Sequence, residues 1–72
     1  SLAGSKARYT DLRGADLRQV KATGADFSYS RLDGANVRKA RFSGSCFTGT
    51  TLDHDFLENV EAIDGAVDIH AA

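Results

Sequence analysis

Reading every fifth residue from position 2 gives Leu2, Ala7, Leu12, Leu17, Ala22, Phe27, Leu32, Val37, Phe42, Phe47, Leu52 and Leu57, an apolar series without a polar interruption. Two residues before each stands a small or slim side chain: Ser5, Thr10, Ala15, Val20, Ala25, Ser30, Ala35, Ala40, Ser45 and Thr50, with Asp55 the first departure. Two residues after, glycine recurs in every second unit as Gly4, Gly14, Gly24, Gly34 and Gly44, while Tyr9, Gln19, Tyr29 and Lys39 fill the units between. A period of five is neither the helical 3.6 nor the strand period of 2. An extended segment broken by a corner does fit: the small and apolar residues, two apart, share the inward face, and the next two residues turn the chain.

Glycine at every tenth position requires an even number of five-residue edges per coil, since an odd number would stack unlike corners. Two edges enclose no core. Four edges, 20 residues, make the smallest closed coil, which places Leu12 over Leu32 and Leu52, and Tyr9 over Tyr29. The expected fold is therefore an all-β solenoid of about three coils. At about 4.8 Å per coil it stands roughly 17 Å tall.

The units Gly14-Ala15-Asp16-Leu17-Arg18, Gly24-Ala25-Asp26-Phe27-Ser28 and Gly34-Ala35-Asn36-Val37-Arg38 closely resemble the pentapeptide-repeat pattern A-(D/N)-L-x-x. The resemblance runs from residue 2 to about residue 54. It implies a right-handed quadrilateral β-helix, and the handedness rests on the resemblance alone. It also implies a largely non-enzymatic family. Some members protect DNA gyrase from quinolones by resembling duplex DNA, others reside in cyanobacterial cells or the thylakoid lumen, and others are modules of larger proteins. No common catalytic residue carries over.

The register falters near the end, dividing the chain into a repeat solenoid over residues 1–54 and a different segment over 55–72. Phe56, Val60, Ile63 and Val67 recur at helical spacing, and Asp55 with Glu58 resembles an acidic capping box, so a short C-terminal helical cap is expected. The rival reading continues the solenoid, because Leu57, Ala62 and Val67 keep the five-residue register. At the other end Leu2, Gly4, Ser5 and Ala7 are already in register, so the first coil reads as an open, truncated or partner-covered edge.

Composition adds limits. A 72-residue chain has a small core, and one cysteine, Cys46, with His54 and His70 provides neither a disulfide framework nor a closed metal site. No cofactor is expected. Nine Lys plus Arg against ten Asp plus Glu give a net charge of −1, which disfavours both a nucleic-acid binder and a DNA-mimicking regulator of a topoisomerase. No apolar run is long enough to span a membrane. Stacking by 20 sets Lys6 under Asp26, Asp11 under Arg31 and Arg13 under Asp33, so most charge is expected to pair between coils.

One charge cluster is left over. Arg18 stacks with Arg38, and Lys21 with Arg41, with Lys39 at the neighbouring corner, making a basic edge suited to an acidic protein surface, a phosphate or an anionic lipid. The competing reading is a solvated mixed-charge face, since Glu58 and Glu61 fall in the same columns one coil later. Tyr9 and Tyr29 form either a recognition patch or a plain aromatic ladder. Cys46 has no flanking cation in sequence to favour its thiolate. The functional expectation is a non-catalytic structural or protein–protein interaction module that presents a rigid surface, its partner being another protein chain or a second copy at the open first coil.

Overall fold

The computed structural model describes residues 1–70, so the last two positions of the 55–72 segment lie outside the described residues. Each corner begins with an inward apolar residue whose carbonyl accepts the N–H three residues on: Leu12 C=O from Ala15, Leu17 from Val20, Phe27 from Ser30. The third residue of each such turn has positive φ, from +68° to +75° at the glycines of the decade series and from +57° to +61° at Tyr9, Gln19, Tyr29 and Lys39. Both corner kinds thus adopt one left-handed geometry, unstrained in one set and carried by L side chains in the other. Gly49 is fixed by space as well, because a Cβ there would lie 2.5 Å from the Tyr29 ring.

Parallel bridges join Lys6 to Asp26, Asp11 to Arg31, Asp16 to Asn36, Lys21 to Arg41, Asp26 to Cys46 and Arg31 to Thr51. Every one spans 20 residues, so successive coils lie over one another in register. Leu12 N–H donates to Arg31 C=O while Arg31 N–H donates to Thr10 C=O, the alternation of a parallel ladder. The rungs are single. Turns consume so much of each five-residue unit that no longer strand forms, and the only helix among the described residues, α1, spans His54–Asn59.

The inward columns build the core. Phe27, Phe42, Phe47 and Phe56 are buried around one another, with Phe27 and Phe47 stacked at 5.6 Å between centroids and Phe42 set edge-on to both. Ala22, Ala25, Leu32, Val37, Ala40 and Leu52 complete it. Buried hydroxyls in the small position are satisfied by the backbone of the coil before. Ser45 Oγ donates to Ala22 C=O and accepts from Ala25 N–H, and Thr50 Oγ1 donates to Phe27 C=O. Serine is tolerated inside because the site provides both an acceptor and a donor.

The last stretch forms a short helix and then returns to the ladder. α1 starts one residue before Asp55, and its N-cap is Asp53, whose Oδ1 accepts from Phe56 N–H while Oδ2 accepts from Gly34 N–H of the preceding coil. Asp53 therefore does what was assigned to Asp55, because it alone reaches both the helix and the corner below. The helix lasts six residues and buries only Phe56; Val60, Ile63 and Val67 lie beyond it. Bridges then resume between Arg41 and Ala62 and between Cys46 and Val67, spanning 21 residues instead of 20. That extra residue moves Ile63 into the corner-forming place and leaves Leu57 and Val67 about half exposed. An Asp55 carboxylate in the inward small position would be desolvated and unpaired, which is why the chain coils here instead.

Candidate interaction surface

The outward positions carry a local device that the sequence pattern did not reveal. The Asp or Asn preceding each inward residue accepts the backbone N–H two residues on: Asp11 from Arg13, Asp16 from Arg18, Asp26 from Ser28 and Asn36 from Arg38. This side-chain turn explains the preference for Asp or Asn there. Where the second residue is arginine, its guanidinium also clasps the carboxylate through two bonds, at 2.9 and 2.7 Å for Arg13 on Asp11 and at 2.8 and 2.7 Å for Arg18 on Asp16.

The arginine forks lie along an edge, while Arg8 with Asp26 and Arg41 with Glu61 pair between coils. Asp11 lies over Arg31 in the ladder yet binds Arg13, Arg31 turns to Asp33 at 3.5 Å, and Asp26 meets Arg8, not Lys6, at 3.7 Å. Planar arginine two residues on matches the carboxylate in a fork, which the inter-coil geometry does not offer. Hydrogen bonds from the Arg18 side chain and then its backbone hold the Asp16 carboxyl down to about 2 against an ordinary 3.8, and Arg13 pushes Asp11 lower still.

Arg18 and Arg38 line one concavity and Lys21 is bridged to Arg41, but the five cations expected to form a basic edge are not equivalent. Arg18 is engaged by Asp16, and Arg41, bridged to Lys21 through the backbone, meets Glu61 at 3.5 Å. Lys21, Arg38 and Lys39 make no ion pair among the described residues. Two concavities border this edge. One, of about 330 Å³, lies between residues 34–38 and Asp55 and Asn59 of α1, with Arg18 at its rim. The other, of about 410 Å³, is bounded by Asp16, Arg18 and Gln19. Sequence reasoning missed Asn36, Asp55 and Asn59 here, although Asp55 breaking the small-residue series marked the place.

Tyr9 and Tyr29 stack at 5.2 Å with 14° between planes, and the Arg8 guanidinium lies 5.5 and 5.8 Å from their ring centres. Arg8, unremarked in the sequence, adds a cation–π contact to that ladder. Cys46 Sγ sits 3.3 Å from Ser28 Oγ and 3.2 Å from Thr48 Oγ1. Those contacts, Ser28 foremost, draw the thiol below its ordinary value, and nearby Asp26 acts in the opposite direction. The same two hydroxyls also donate to carboxylates, Ser28 to Asp26 and Thr48 to Asp68. His54 opens α1 and His70 ends the described chain, and among the described residues no three His, Cys, Asp or Glu side chains gather as a metal site. No helix among them is long and apolar enough to cross a membrane.

No curated protein matches this sequence. A family model for pentapeptide repeats does, with eight copies over residues 1–28 and 23–54, the stretch in which the corners recur every five residues. The chain belongs to the pentapeptide-repeat family.

Proposed function

We propose that the chain is a non-catalytic interaction module, a right-handed quadrilateral β-helix of about three coils that offers a fixed basic edge to an acidic protein partner. Pentapeptide-repeat proteins are generally structural or interaction modules, often engaged in protein contacts. The observation that carries the reading is the uneven neutralisation of charge: Arg38, Lys39 and Lys21 stay without carboxylate partners on a surface where most arginines are clasped. A backbone already held in a hydrogen-bonded ladder loses little freedom on binding, which favours recognition. The aromatic core fills the interior, so chemistry has no enclosed cleft to occupy.

A DNA-mimicking role has less support, because Asp11, Asp16 and Asp26 are each matched by an arginine and present no bare row of negative charge. The Tyr9 and Tyr29 corner and the outward amides of Lys6, Asp11 and Asp16, which bond to nothing among the described residues, are secondary surfaces for another chain or a second copy. The test is affinity capture from an extract of the source cells, comparing the native protein with the Lys21→Glu, Arg38→Glu, Lys39→Glu variant. Specific protein partners lost on charge reversal support the reading. Capture of the same partners by both proteins, or of nucleic acid, contradicts it.

A further inference from the structure

The ladder has one missing rung. From Leu2 to Phe47 every inward apolar residue donates its N–H to a carbonyl of the following coil, except Val37. The reciprocal bond is missing too. Thr51 N–H reaches Ser30 C=O and Glu61 N–H reaches Ala40 C=O, but Ala35 C=O accepts nothing among the described residues. The cause is α1: Phe56 N–H, which the register would direct to Ala35, bonds instead to Asp53.

Val37 N–H and Ala35 C=O flank Asn36, and that pairing of donor and acceptor is what one residue of a parallel extended strand satisfies. Ala35, Asn36 and Val37 line the 330 Å³ concavity together with Asp55 and Asn59 of α1. The helix is pinned across it at both ends, by Gly34 N–H to Asp53 and by Lys39 N–H to Asn59 C=O. Asp55 in its first turn therefore lies toward the residue-34 end, while the unpaired Arg38 lies at the other.

We propose that this open rung is a docking slot for one extended peptide segment laid parallel to residues 34–38, with its middle residue opposite Asn36. Its N-terminal end is basic, to meet Asp55, and its C-terminal end is acidic, to meet Arg38. The two inward-pointing positions beside the middle residue are small, because Phe56 already fills the core there. A phosphate or free carboxylate engages Val37 N–H and Arg38 but leaves Ala35 C=O unpaired, so the donor and acceptor together select a peptide. The slot deepens the basic-edge reading and rests on it.

The test is a titration of ¹⁵N-labelled protein with three probes: acetyl-Lys-Gly-Ser-Gly-Glu-amide, the same peptide with Lys and Glu exchanged, and inorganic phosphate. The first peptide is expected to shift the Val37 amide saturably with millimolar affinity, and to slow its hydrogen exchange about tenfold when present at ten times its dissociation constant. The exchanged peptide binds about fivefold more weakly, and Arg38→Ala removes that discrimination while circular dichroism stays unchanged. Silence at Val37 with both peptides, equal affinity for the two, or an equal response to phosphate overturns the slot. The peptide comparison requires no variant. If Val37 stays silent while charge reversal still abolishes protein capture, the slot fails and the basic edge stands; peptide binding with capture unaffected overturns the edge and, with it, the slot as that partner's docking site.

Discussion

The first 20 residues and residues 22–56 follow one pattern, yet they are packed very differently. Leu2, Ala7, Leu12 and Leu17 point inward in the same register as Phe27, Leu32, Phe42 and Phe47, but no residue before Ala22 is fully buried. A coil covers only the side of its neighbour that it stacks on, so burial depends on being sandwiched and not on carrying the pattern. The aromatic residues are concentrated accordingly: all four phenylalanines lie between residues 27 and 56, where coils cover them from both sides.

The largest expected difference between the two regions is in core truncation. Phe42→Ala removes a side chain packed against three other rings and is expected to cost about 3–5 kcal/mol, against about 1–2 kcal/mol for half-buried Leu12→Ala, both by urea unfolding. Equal costs would break the comparison. Next is Ser45→Ala, which takes away the hydroxyl that bonds both Ala22 C=O and Ala25 N–H between covered coils, leaves these two only their long 3.3 Å bond to each other, and is expected to cost about 0.5–1.5 kcal/mol. Half-buried Ser5→Ala, whose hydroxyl makes no such bonds in the structure, serves as its first-coil control and should change unfolding by under about 0.5 kcal/mol.

A smaller effect has the opposite sign. Gln19→Gly relieves a left-handed corner at φ +61° and is expected to raise the thermal midpoint by a few degrees, the relief being about 0.5–1 kcal/mol less the entropy glycine adds to the unfolded chain. The smallest concerns acid. The Asp16 carboxyl, held at about 2, contributes stability that is present above its ordinary 3.8 and is lost as pH falls toward 2. Asp16→Asn keeps the acceptor for Arg18 N–H, as Asn36 does one coil on, so its stability should vary less between pH 4 and pH 2 than that of the native protein.

Most of the architecture was legible because the features that specify it are local and repeated. The inward series, the decade glycines and the stacking of Tyr9 on Tyr29 all follow from residue size at fixed spacing, and the 20-residue rungs match them. Charge pairing was misread, since inter-coil proximity of Asp11 and Arg31 is real but the fork from Arg13, two residues on, binds better. The end of the repeat was half legible. Asp55 announced a break, but spacing alone did not tell that Asp53 would cap a helix of one and a half turns and return the chain to the ladder one residue out of step. The unpaired rung at Asn36 follows from that break, so no motif at residues 35–37 signalled it.

The central claim, a ladder with one open rung among the described residues, is tested most directly by amide hydrogen exchange in the free protein. Leu32, Val37 and Phe42 are equally buried, at 1%, 2% and 0% exposure, so burial alone predicts equal protection. The ladder predicts slow exchange at Phe27, Leu32, Phe42 and Phe47, with Val37 at least about tenfold faster. Val37 exchanging as slowly as Leu32 and Phe42 would contradict the account.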